Sequence, residues 1–93
     1  MVKKAKNTGT GLPTETVKIN NDWWLVLYCD LKHEPGKYGD CDYDTRVIRI
    51  DNRLSKADKK LTLAHEIIHA CYPQLTEEAV LSLEQSLRSA KII

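Results

Sequence analysis

The sequence predicts a small α+β domain, with about three strands in an antiparallel or mixed sheet packed on two helices. Three observations carry this. Apolar and polar residues alternate in the first half, with Val17 and Ile19 on one side of a strand and Thr16 and Lys18 on the other. The second half changes period, with apolar residues at helical spacing through Leu61, Ala64, Ile68 and Cys71 and again through Val80, Leu83, Leu87 and Ala90. The length, 93 residues, suits one domain and not two.

Taken in order, residues 1–13 are polar, carry two glycines and a proline, and read as a flexible tail, leaving 14–93 as the domain. Thr14 to Asn20 is a first strand. Asn20-Asn21-Asp22 is turn chemistry, because Asn and Asp tolerate left-handed backbone. Trp23 to Asp30, rich in aromatic and aliphatic residues, completes a hairpin. Residues 31–44 hold Pro35, Gly36 and Gly39 and read as one loop, long enough in so small a domain to suggest a functional role. Thr45 to Asp51 is the next strand, with Arg46, Ile48 and Ile50 on one face. Ser55 is a suitable N-cap for a helix from Lys56, which Pro73 closes because the residue before a proline avoids helical geometry. Thr76 caps a second helix with Glu77 and Glu78 in its first turn.

Composition excludes several function classes. The net charge is +1 and the basic clusters, Lys3-Lys4-Ala5-Lys6 and Lys56 to Lys60, are short and carry no interleaved aromatics, which argues against nucleic acid as a partner. The longest apolar run, Trp23 to Cys29, is far too short to span a membrane, and no apolar segment follows the N-terminal charges as in a signal peptide. Cys29, Cys41 and Cys71 form no CxxC pair and are odd in number, so neither a disulfide framework nor a thiolate zinc finger is expected, and a reducing cytoplasm fits.

The chemistry lies in His65-Glu66-Ile67-Ile68-His69, an H-E-x-x-H motif on the first helix. Residues four apart sit one turn apart on one face, with β-carbons about 5–6 Å from each other, so two imidazoles can converge on one zinc ion. Glu66, one position round, lies beside the metal and can accept a proton from water and deliver it to a leaving amine. Chance alone produces the motif in on the order of a few chains per thousand of this length. A catalytic zinc takes three protein ligands. No histidine follows His69, which excludes the three-histidine extension. Glu77 and Glu78 are the candidates for the third. Glu77 is preferred because it lies nearer the helix's apolar stripe, with Cys71 and Cys41 as further alternatives. His33, in the loop, and the phenols of Tyr38, Tyr43 and Tyr72 are candidates for stabilising the transition state, with nothing in the sequence to choose among them.

The segments Tyr38-Gly39-Asp40-Cys41-Asp42, Thr45 to Ile50, Thr62 to Cys71 and Glu77-Glu78-Ala79-Val80 resemble small phage- and prophage-encoded zinc metallopeptidases. These are similar to minimal zincins of the gluzincin type, near SprT-like and ImmA/IrrE-type domains. The resemblance spans roughly residues 16 to 90, and its specific part is the H-E-x-x-H motif. It implies a twisted sheet over an active-site helix and an edge strand that pairs with an extended peptide or protein substrate, for which Thr45 to Asp51 is the candidate. It also implies Glu66 as general base, His65 and His69 as zinc ligands, and a glutamate third ligand, Glu77. The chain departs from larger zincins in having no second subdomain to wall the cleft, which points to a narrow substrate or to activity beside a partner. The expected function is therefore zinc-dependent peptide hydrolysis, with a zinc-stabilised, non-catalytic peptide- or regulator-binding module as the alternative.

Overall fold

The structure is a computed structural model that describes residues 14–93. The stretch 1–13, read above as a tail, lies outside them. Six elements follow in order: β1 (Thr14–Ile19), β2 (Asp22–Cys29), β3 (Gly39–Asp42), β4 (Val47–Asp51), α1 (Lys56–Cys71) and α2 (Glu77–Ser89).

The hairpin expected at the start forms as read. Asn20 and Asn21 both take positive φ, 50° and 72°, the pairing that lets a two-residue turn match the twist of its strands. β1 and β2 then pair antiparallel from Ile19↔Asp22 to Thr14↔Leu27.

Two expectations about the sheet are corrected. It has four strands, in the order β1-β2-β4-β3, with β2 and β4 parallel and the other pairs antiparallel. The missed strand, β3, is the sequence Gly-Asp-Cys-Asp. It has neither β-branched residues nor apolar alternation, and it is a strand because it pairs with β4, with Cys41 opposite Ile48 and Asp40 opposite Arg49. The second correction follows from the first. The strand through Ile48 and Ile50 is interior, paired on both sides, and cannot be the edge that receives a substrate; β3 occupies that edge. β4 also begins at Val47 and not Thr45. Asp42 Oδ1 accepts the Asp44 and Thr45 amides, and Arg46 adopts φ 58°, so the chain is still turning there.

One sheet face carries Ile19, Trp24, Val26, Ile48 and Ile50, which form the core together with Ala70 of α1. Leu63, Ile67 and Cys71 pack against it, so of the expected stripe through Leu61, Ala64, Ile68 and Cys71 only Cys71 lies on the core-facing side of α1. α1 is apolar on two sides because it packs on the sheet with one and on α2 with another. Periodicity alone does not separate the two. On α2 only Val80 is fully buried. Leu83 and Ala90 of the expected stripe are exposed, and Glu84 takes an inward place between Val80 and Leu87. Both caps form: the Ser55 hydroxyl accepts the Asp58 amide and the Thr76 hydroxyl accepts the Ala79 amide, each at 3.1 Å.

β3 lies close against α1. A β-carbon added at Gly39 would stand 2.8 Å from the Arg49 carbonyl oxygen and 2.9 Å from Thr62 Cγ2. Only glycine lets the edge strand approach the motif-bearing helix this closely.

Candidate metal centre

The turn between α1 and α2 is short, and it folds the start of α2 back over the end of α1. His65 and His69, one helical turn apart, direct their Nε2 atoms toward each other at 3.2 Å. Glu77, the first residue of α2, brings Oε1 to 2.7 Å from His69 Nε2 and 3.1 Å from His65 Nε2. Four ligands about 2.0–2.1 Å from a zinc ion stand roughly 3.3 Å apart at the corners of a tetrahedron. The three separations lie near that edge length, and two imidazole nitrogens with one carboxylate oxygen form a donor set suited to zinc. Among the described residues, His65, His69 and Glu77 are the group brought together in this way. Glu78, the rival to Glu77, is exposed and outside the cluster. Cys41 and Cys71 pack against the core instead, and His33 is exposed in its loop.

Glu66 sits at the next position on α1 and is only 8% exposed. Burial pushes its carboxyl above the usual range. The neighbouring histidines oppose this when charged, and Asp40 and Glu77 add to it. It therefore holds a proton more readily than an exposed glutamate.

His65, Glu66 and Glu77 line a cleft of about 570 Å³. Leu61 and Leu81 extend its helical side, and the segment from Pro35 to Gly39 forms the facing wall. That wall is the long loop singled out in the sequence, and it is tied down from the sheet. Arg49 reaches from β4 to Asp40, with Nε 2.9 Å from Oδ1, and both its Nη atoms lie 3.2 Å from the Glu34 carboxylate. Lys37 bridges Glu34 and Asp40 at 3.2 Å each. The Asp51 amide donates to the Tyr38 carbonyl at 2.8 Å. The Arg49 guanidinium beside Asp40 holds that carboxyl below the ordinary carboxylate range.

The three phenols now separate. Tyr43 donates its hydroxyl to the His69 backbone carbonyl at 3.0 Å and so is tied to the motif helix. Tyr72 is exposed and outside the cleft lining, whereas Tyr38 belongs to it.

One residue at the site was not anticipated. Glu84 of α2 brings Oε1 to 2.9 Å from His65 Nδ1, the ring nitrogen that faces away from the cluster. A signal existed. Glu84 lies seven residues after Glu77, two turns on, and interrupts an apolar stripe at a place where an aliphatic side chain would be the default.

An H-E-x-x-H helix packed beneath a small mixed sheet, with a carboxylate from the next helix meeting both histidines, defines a zincin-like domain. The particular family follows from comparison: the family model described as the IrrE N-terminal-like domain, a peptidase family, matches residues 24–88. The chain belongs to that family. The match runs from β2 nearly to the end of α2 and includes every residue of the cluster. No curated protein and no solved structure matches the chain. Among the described residues no helix is long and apolar enough to cross a membrane.

Proposed function

We propose that this protein is a zinc-dependent peptidase that hydrolyses a peptide bond of a protein or peptide lying along the free edge of β3. The observation that carries the reading is the convergence of His65 Nε2, His69 Nε2 and Glu77 Oε1, with His65, Glu66 and Glu77 lining one cleft. Membership of a peptidase family supports it.

In this mechanism His65, His69 and Glu77 would hold the ion. A zinc ion held there would supply Lewis acidity toward a peptide carbonyl and toward a water. Glu66 would accept a proton from the attacking water on its carboxylate and return it to the departing amine, a transfer favoured by the burial that raises its proton affinity. β3 pairs with β4 through one edge. Its other edge can add the substrate as a further strand, positioning the backbone over α1 without demanding particular side chains. The three cysteines are free thiols, consistent with work in a reducing cytoplasm.

The test is the metal content of wild type and His65→Ala, together with cleavage of a peptide library by wild type and Glu66→Gln. One zinc per chain that is lost in His65→Ala, with cleavage that is lost in zinc-loaded Glu66→Gln, is the expected result. Zinc binding without cleavage by wild type would favour the non-catalytic binding module, and no zinc in wild type would overturn both readings.

A further inference from the structure

We propose that Glu84 is a positioning residue for the metal centre: it accepts the His65 Nδ1–H and holds that ring with its Nε2 lone pair toward His69 and Glu77. The inference rests on the reading of the cluster as a zinc site and adds a residue outside the ligand set.

Two observations carry it independently. The first is the 2.9 Å separation between His65 Nδ1 and Glu84 Oε1. A neutral imidazole has one N–H and one lone pair, and a carboxylate can only accept, so this contact fixes the proton on Nδ1 and leaves Nε2 free to bind a metal. The two ring nitrogens point in diverging directions, so Glu84 cannot itself reach an ion shared by His65, His69 and Glu77. The second is the burial of Glu84. Its side chain is 14% exposed, that of His65 is 15% exposed, and Glu84 stands on the inward side of α2 between Val80 and Leu87. A carboxylate there without a partner is costly, and His65 is the hydrogen-bond partner described for it.

The arrangement also explains how the two helices are paired. Glu77 meets His69 and Glu84 meets His65, so α2 runs back along α1 with its two acids seven residues apart, on one face and about 10 Å along the axis. Glu77 works from the Nε2 side of the histidines and Glu84 from the Nδ1 side of His65. Outer partners of this kind alter metal affinity by about 10–100-fold when removed.

The experiment is zinc titration against a competing chelator for wild type, Glu84→Leu, Glu84→Gln and the control Glu78→Gln, with nitrogen-15 NMR of the zinc-loaded histidines. Leucine continues the apolar stripe and removes the acceptor, and glutamine keeps the shape and a weaker acceptor. The expected result is zinc affinity about 10–100-fold weaker in Glu84→Leu, a smaller loss in Glu84→Gln and none in Glu78→Gln. The His65 Nδ1 proton should be protected from water exchange in wild type and lose that protection in Glu84→Leu, which a purely structural role would not produce. If Glu84→Leu fails to fold, Glu84→Gln decides by the same two readouts. Zinc bound equally tightly by wild type and the Glu84 variants would overturn this inference alone. No zinc bound by wild type would overturn the metal reading and the inference with it.

Discussion

Among the described residues Glu66 and Asp51 are the two buried acids, 8% and 2% exposed, and their surroundings shift their carboxyls in opposite directions. Asp51 ends β4 and is gripped by Arg53, whose Nη2 lies 2.7 Å from Oδ2 and whose Nε lies 3.0 Å from Oδ1. Those bonds, with the Arg53 and Leu31 amides, hold its carboxyl down at about 2 despite burial. Glu66 has no such guanidinium and its carboxyl is pushed up. Burial sets the direction only where no cation answers it. An acid locked in its charged form braces the structure, and an acid whose proton affinity is raised by burial is better suited to exchange a proton. The fold places the first where β4 hands over to the loop and helix, and the second at the floor of the cleft.

This contrast can be broken experimentally. The largest effect is expected from Glu66→Gln, which should lower peptidase turnover by about 100- to 10,000-fold while zinc content stays at one per chain. Asp51→Asn should leave turnover of the folded protein close to wild type and act on stability instead, seen as a lower melting temperature. Equal losses of turnover in the two variants would abolish the distinction.

Metal removal comes next. His65→Ala, or chelation of wild type, should lower the melting temperature, because zinc at a hundredfold excess over its dissociation constant stabilises the native state by about 2.7 kcal/mol. An unchanged melting curve with and without zinc would count against a native site.

The smallest effect is the pH dependence, and its sign differs for the two acids. The depressed carboxyl of Asp51 contributes stability that is fully present above the ordinary aspartate range and is lost as pH falls toward about 2. The difference between wild type and Asp51→Asn should therefore shrink on acidification from about pH 4. The raised carboxyl of Glu66 works the other way: its contribution is present below the ordinary glutamate range and is lost as pH rises through the elevated value. Metal-free Glu66→Gln should gain on wild type as pH rises, measured by denaturant melts at each pH. A gain in the opposite direction would mean that Glu66 is paired in solution.

Much of this site was legible in the sequence because helices are local. Ser55 and Pro73 mark where α1 begins and ends, Thr76 marks where α2 begins, and a four-residue spacing places two imidazoles on one face whatever surrounds them. The Asn20-Asn21 turn was legible for the same reason, since its φ values are a property of those residues. β3 was not legible, because nothing in Gly-Asp-Cys-Asp prefers a strand until β4 and Arg49 are alongside. The apolar stripes of both helices were misplaced in part. α1 has two apolar sides, and α2 spends an inward position on Glu84.

The sequence by itself determined the motif helix, its caps, the hairpin and the presence of a carboxylate within one short turn of His69. Each depends on interactions between residues a few positions apart, whose geometry the backbone dictates. The sequence favoured Glu77 over Glu78 by its place near the apolar stripe, but only the tertiary structure brought Glu77 to the histidines, set Glu84 behind His65 and made β3 the free edge beside the cleft. Those outcomes depend on how α2 docks on α1 and how β4 pairs on both sides. Such long-range contacts are selected by packing of the whole chain, and the segments they join carry only a local hint of them, such as the break in the α2 apolar stripe at Glu84.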